Sequence, residues 1–157
     1  MIAVIACGNP NRGDDGAGLE VLRLLKAGGL DEDPAVKLLD AGTDGMAVMF
    51  AARGCGSLIV VDACRSGSPP GAVFEVPGEE LARRHEPTLT LHDFRWEHAL
   101  YSGRRIFAEH FPADVVVLLI EAQTLDLGVG LSAPVSTAAA NVAERIAMLV
   151  RERRQAP

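Results

Sequence analysis

The sequence predicts an α/β fold: three layers, α/β/α, around a central twisted sheet of about five strands, mixed but mostly parallel. Two observations carry this. Short apolar runs alternate with segments of helical period along the chain, the pattern of successive βα units. One connection breaks that pattern. "ACRSGSPPG" at 63–71 is rich in Gly, Pro and Ser and too short for a helical crossover, so the strand after it must run antiparallel to its neighbour. With 157 residues, 48% of them hydrophobic, and no linker, repeat or low-complexity tract, residues 1–157 read as a single domain with a sizeable core.

Each element follows in order. Ile2–Ala6 reads as a buried strand. A helix runs from Asp15 to about Lys26, with Ala17, Val21, Leu24 and Leu25 on one face, and Gly28–Gly29 end it. Val36–Leu39 is a second strand. A helix from about Gly45 to Ala52 follows, with Thr43 as the expected N-cap. Ser57–Val61 is a third strand and ends at Asp62. "AVFEV" at 72–76 is expected antiparallel to that third strand. Two further helices are expected, from about Asp93 to Tyr101 and from about Arg104 to Phe111. Asp114–Ile120 is the last strong strand. Ser132 then caps a final helix, with Pro134 in its first turn, where a missing N–H costs nothing. Its stripe is Val135, Ala138, Ala139, Val142, Ile146, Leu149 and Val150.

Composition excludes several classes. A net charge of −6 argues against a general nucleic-acid binder. The N-terminus has no basic region of a signal peptide, and the apolar runs at 57–63 and 115–120 are too short to span a bilayer. Three cysteines without a C-x-x-C spacing imply a reducing compartment, with the cytoplasm as the expected location.

The chemistry concentrates beyond the carboxyl ends of the strands, where open α/β sheets bind ligands. "GNPNRGDDGAG" at 8–18 has the glycine spacing of a phosphate loop, but Asp14 and Asp15 stand where its lysine and hydroxyl residue belong. Asp40 ends the second strand and, next to Gly42, also reads as a turn-stabilising carboxylate. Asp62 ends the third. The right-handed crossover rule makes the first and third strands neighbours, so Asp15 and Asp62 face one another. Two such carboxylates repel unless a proton or cation lies between them. The competing reading places Asp14 and Asp15 at a helix N-terminus as structural acids, Asp14 the more so. Among the four histidines, His85, His98 and His110 read as solvated or structural. His92 ends "TLTLH" at the mouth of an expected helix and can join Asp15 and Asp62 in a set suited to Zn, Ni, Mn or Fe, with open positions left over. No G-x-S-x-G or H-E-x-x-H motif is present. Cys7 and Cys64 lack an adjacent histidine that would support a thiol nucleophile.

Together these motifs resemble those of the endopeptidases that mature [NiFe]-hydrogenases. The matching pieces are "GNPNRGDDGAG" at 8–18, "DAGTDGM" at 40–46, "LIVVDA" at 58–63, "LTLH" at 89–92 and "GLSAPV" at 130–135, in family-like order to about residue 150. The resemblance implies a peptidase that removes the C-terminal extension of the hydrogenase large-subunit precursor after nickel insertion. The metal-contacting positions carry over to Asp15, Asp62 and His92, which are also the residues it implies for catalysis. Those near the cleft and suited to substrate recognition are Asp40, Gly42, Thr43 and Gly45. It further implies that nickel comes with the substrate and that the precursor is the partner. Three ligands on loops that must first be ordered imply no tight intrinsic cofactor, and the charge and short apolar runs leave no role for nucleic acid or membrane. The chain departs from the family pattern at Ala41, at Thr90 and in "IEAQT" at 120–124. The alternatives are a Mg²⁺-dependent phosphoryl-transfer or receiver-like domain, and a non-catalytic nickel-binding chaperone.

Overall fold

The computed structural model describes residues 1–82 and 95–155, the first of these without the side chains of residues 81 and 82. Five strands, β1 (Ile2–Cys7), β2 (Val36–Gly42), β3 (Ser57–Cys64), β4 (Val73–Pro77) and β5 (Asp114–Glu121), form one sheet in the order β2-β1-β3-β5-β4. The first four in that order are mutually parallel, and β4 runs antiparallel to β5.

Helices cover both faces, and the strand side chains alternate between them. On one face Val4, Ala6, Ile59, Val61, Leu118 and Ile120 pack against α1 (Ala17–Ala27) and α5 (Ala133–Gln155). On the other, Ala3, Ile5, Leu58, Val60 and Val117 meet α2 (Gly45–Ala52) and α4 (Trp96–Phe107). Burial on both sides is why β1, β3 and β5 carry nearly unbroken apolar runs, since an alternating strand would bury polar groups without partners. A short α3 (Gly78–Ala82) follows β4. Among the described residues no helix is long and apolar enough to cross a membrane.

Four sequence expectations need correction. β4 pairs with β5, not with β3. The short 63–71 connection does enforce an antiparallel strand, but β5, later in sequence, takes the place beside β3 along its whole length. β5 is buried on both faces and belongs inside the sheet. The side chains of β4 alternate between exposed and half-buried, and it ends in Pro77, which suits an edge.

Second, α4 is one helix through Ser102–Gly103, followed only by a 3₁₀ turn at Ala108–His110. Gly103 does not break it. A Cβ there would collide with the Phe111 ring, so the glycine makes room for tertiary packing. Third, Asp44, not Thr43, caps α2, accepting from the amides of Met46 (2.9 Å) and Ala47 (3.2 Å). Helix α1 also begins later than expected, after a 3₁₀ turn at Gly13–Gly16. The expected helix start at Asp93 lies outside the described residues, as do His85, Thr90 and His92.

A candidate carboxylate cleft at the switch point

The chain leaves β1 toward β2 on one side and reaches β3 on the other, so the carboxyl ends of β1 and β3 bound the crevice where such sheets bind ligands. A cleft of about 330 Å³ opens there. Its lining comprises Cys7, Gly8, Arg12, Asp15, Gly42, Thr43, Asp44, Gly45, Asp62, Arg95, Trp96 and Leu125. Asp40 is not in that lining. Its Oδ1 accepts the Gly42 amide at 2.9 Å, the turn-stabilising role open to an Asp two residues before a glycine.

The two acids of the opening loop have separate roles. Asp14 is fully buried. Its Oδ1 accepts the Ser132 amide (2.7 Å), and its Oδ2 accepts the Ser132 hydroxyl (2.8 Å) and the amides of Gln123 (2.8 Å) and Thr124 (3.2 Å). Burial alone would raise the Asp14 carboxyl. The donors from Ser132, Gln123 and Thr124 outweigh it and hold the group below its ordinary value. Asp14 thus fastens the 123–132 loop to the turn after β1, and Arg12 adds a bond from Nε to the Leu125 carbonyl (3.2 Å).

Asp15 turns into the cleft instead, with Oδ2 accepting the Asn9 amide at 2.8 Å. Gly8 stands between Asp15 and Asp62 with φ = 121°. A Cβ there would strike the Asp15 carbonyl oxygen and lie 3.4 Å from Asp62 Oδ1. Any side chain at Gly8 would therefore push the Asp15 backbone out of its place beside the cleft.

Asp62 lies on β3, 2% exposed. Its Oδ1 accepts the Ala63 amide (2.8 Å), and its Oδ2 accepts Trp96 Nε1 (2.8 Å) and Arg95 Nη2 (3.2 Å). Burial raises this carboxyl to about 6. The Trp96 and Arg95 contacts oppose the rise, and the charge of Asp15 adds to it. For Arg95, burial works against the charge, but Glu97, Asp62 and Asp15 prevail and raise the guanidinium pKa. Among the described residues no three or more His, Cys, Asp and Glu are grouped to hold a metal ion.

Neither thiol is set up as a nucleophile. Burial, then the charge of Asp62, pushes Cys7 far up. Burial and the Glu121 carboxylate raise Cys64 to about 12, and Cys64 Sγ donates to Glu121 Oε2 at 3.2 Å. All three cysteines are unpaired.

Sequence reasoning missed Arg95, Trp96 and Glu121. Glu121 is 1% exposed and accepts from the Ser66 amide and hydroxyl and the Gly67 amide, shaping the loop before β4. Its position at the end of an apolar strand was the available signal. For Arg95 and Trp96 that signal was a Trp at a helix mouth, where an indole N–H needs an acceptor.

Fold and site together define a three-layer α/β protein whose ligand crevice is lined by Asp15 and Asp62 beside the helix-capping Asp44, with both nearby thiols held protonated. The hydrogenase maturation protease family model, HycI, matches residues 19–149, and the chain belongs to that family. The hydrogenase maturating endopeptidase HybD from E. coli is similar in structure, with a TM-score of 0.80 at 21% identity over 98% of this chain and 93% of that one. The [NiFe] hydrogenase maturation protease HybD from Thermococcus kodakarensis reaches 0.74 at 26% identity over 95% and 98%. The HycI protease from Thermococcus kodakarensis KOD1 also gives 0.74, at 21% identity over 96% and 92%. No curated protein matches the sequence significantly.

Proposed function

We propose that the chain is an endopeptidase that removes the C-terminal extension of a [NiFe]-hydrogenase large-subunit precursor once nickel is in place. In this reading Asp15, Asp62 and His92 contact the nickel carried by the substrate, and the enzyme keeps no resident metal. The observation that supports it most is that Asp15 and Asp62 line one cleft, where the charge of Asp15 acts on Asp62. Two carboxylates in one crevice favour a cation from outside, and two protein ligands with a third from His92 leave coordination positions for the precursor.

Gly42, Thr43 and Gly45 line the same cleft and are assigned to substrate recognition. Beside it, Leu127 and Val129 stand 82% and 87% exposed on the loop fastened by Asp14, apolar surface suited to a polypeptide. Free thiols accord with a cytoplasmic setting. Bound nickel would polarise the scissile carbonyl or acidify a water. The chain's own task is to hold Asp62, through Trp96 and the Ala63 amide, at the cleft where that metal would sit.

The test is intact-mass analysis of nickel-loaded and nickel-free precursor after incubation with the protein. Cleavage is expected only of the loaded form, and to be lost in Asp62→Asn and His92→Ala. Equal cleavage of both forms sinks nickel recognition. Tight nickel-dependent binding with no mass change favours the chaperone reading.

A further inference from the structure

The cleft already contains a cation. Arg95 Nη2 lies 3.2 Å from Asp62 Oδ2, and the guanidinium feels the charges of both Asp62 and Asp15. The arrangement is lopsided. The Asp62 side chain is 3% exposed, while that of Arg95 is 60% exposed, so a fixed, buried anion faces a long, solvated cation. Trp96 and the Ala63 amide hold Asp62 in place independently of Arg95. If Arg95 leaves, Asp62 stays where it is.

Arg95 also has somewhere to go. Its Nε lies 3.7 Å from Glu97 Oε2, too far for a hydrogen bond. That oxygen is buried, and no hydrogen-bond donor reaches it among the described residues. A buried, unsatisfied carboxylate oxygen is costly, so a small approach of the guanidinium is rewarded there. Arg95 thus stands between two acidic partners, bonded to one and just short of the other.

We propose that Arg95 is the resident counter-ion of the carboxylate pair, that a metal reaches Asp15 and Asp62 only by displacing it, and that Glu97 receives it when displaced. This rests on the reading that the pair contacts the precursor's nickel. The consequence is selectivity. A free divalent ion must break the Arg95–Asp62 contact with its own binding energy alone. Nickel seated in the precursor arrives with the binding energy of a whole protein surface. Arg95 therefore weakens the response to stray ions far more than the response to the loaded substrate, a discrimination built by opposing the wrong ligand.

The experiment is calorimetric titration of the full chain with Ni²⁺ alone. Arg95→Met keeps the apolar stem and removes the charge, Arg95→Lys keeps the charge, and Asp62→Asn removes the site. Arg95→Met is expected to bind Ni²⁺ at least about tenfold more tightly than wild type, the low end for removing one unit charge beside a dication at a partly screened site. Arg95→Lys is expected within about threefold of wild type, and Asp62→Asn to lose the binding. Glu97→Gln, which weakens the alternative seat, is expected to bind more weakly than wild type. If Asp62→Asn loses binding while Arg95→Met is no tighter than wild type, the counter-ion inference falls and the carboxylate site stands. If Asp62→Asn binds as wild type does, both fall together; if no variant binds, Arg95→Met included, the counter-ion inference falls and the nickel reading is decided by the precursor assay. Tightening in Arg95→Lys equal to that in Arg95→Met shows that the charge is not what competes and also overturns the inference.

Discussion

Replacing Asp14 by Asn removes one acceptor and installs a donor among donors. In the better amide orientation, the remaining oxygen takes the place of Oδ2 and keeps Gln123, Thr124 and the Ser132 hydroxyl. The new NH₂ then faces the Ser132 amide, bonded at 2.7 Å in wild type. One buried amide left unsatisfied costs about 2 kcal/mol, and losing charge assistance on the other bonds adds about 1 kcal/mol. The expected loss is about 3 kcal/mol, or a Tm lowered by roughly 6–12 °C for a chain of this size. Urea unfolding followed by far-UV circular dichroism measures it. The sign with pH is also determined. The folded pKa of Asp14 lies below its ordinary value, so its contribution is fully present above the unfolded pKa and is lost as pH falls through the folded one. The gap between wild type and Asp14→Asn should therefore hold steady from pH 8 to pH 5 and close below about pH 4. A loss under about 0.5 kcal/mol at pH 7 would refute the assignment of Asp14 as the fastener of the 123–132 loop.

Two further outcomes are expected. Asp62 behaves oppositely to Asp14, because its folded pKa of about 6 exceeds the unfolded value of 3.8. The folded chain keeps a proton that the unfolded chain has lost, so wild type loses about 2 kcal/mol of stability relative to Asp62→Asn as pH rises from 4 to 7; parallel stability–pH curves for the two proteins contradict this. Gly103→Ala sets helix propensity, which favours Ala by about 1 kcal/mol, against a clash with Phe111 costing about 1–3 kcal/mol. A lower urea midpoint is expected, and a higher one means the ring moves aside freely.

Much of this molecule is legible from the sequence for a simple reason. Strands buried on both faces have to be continuous apolar runs, so β1, β3 and β5 announce themselves, and an amphipathic helix such as α5 must show its stripe. The expected gap between Tyr101 and Arg104 misled because the local meaning of Gly103 there, a weak point in a helix, was overruled by a ring eight residues away in sequence. The division of labour between Asp14 and Asp15 was only half legible. Adjacent identical side chains carry identical local signals, and what separates them is the 123–132 loop that folds back onto one of them.

The sequence by itself determined the α/β class, the parallel core strands, the antiparallel turn after β3 and the positions of the acids at strand ends. Each of these follows from local periodicity, chain direction and connection length, which are properties of neighbouring residues. Only the tertiary structure decided that β5 separates β4 from β3, that Asp14 is consumed by four donors from a distant loop, and that Arg95 and Trp96 converge on Asp62. Those outcomes depend on competition among groups far apart in the chain for the same edge, the same lone pairs and the same buried charge. No local pattern encodes which of them wins.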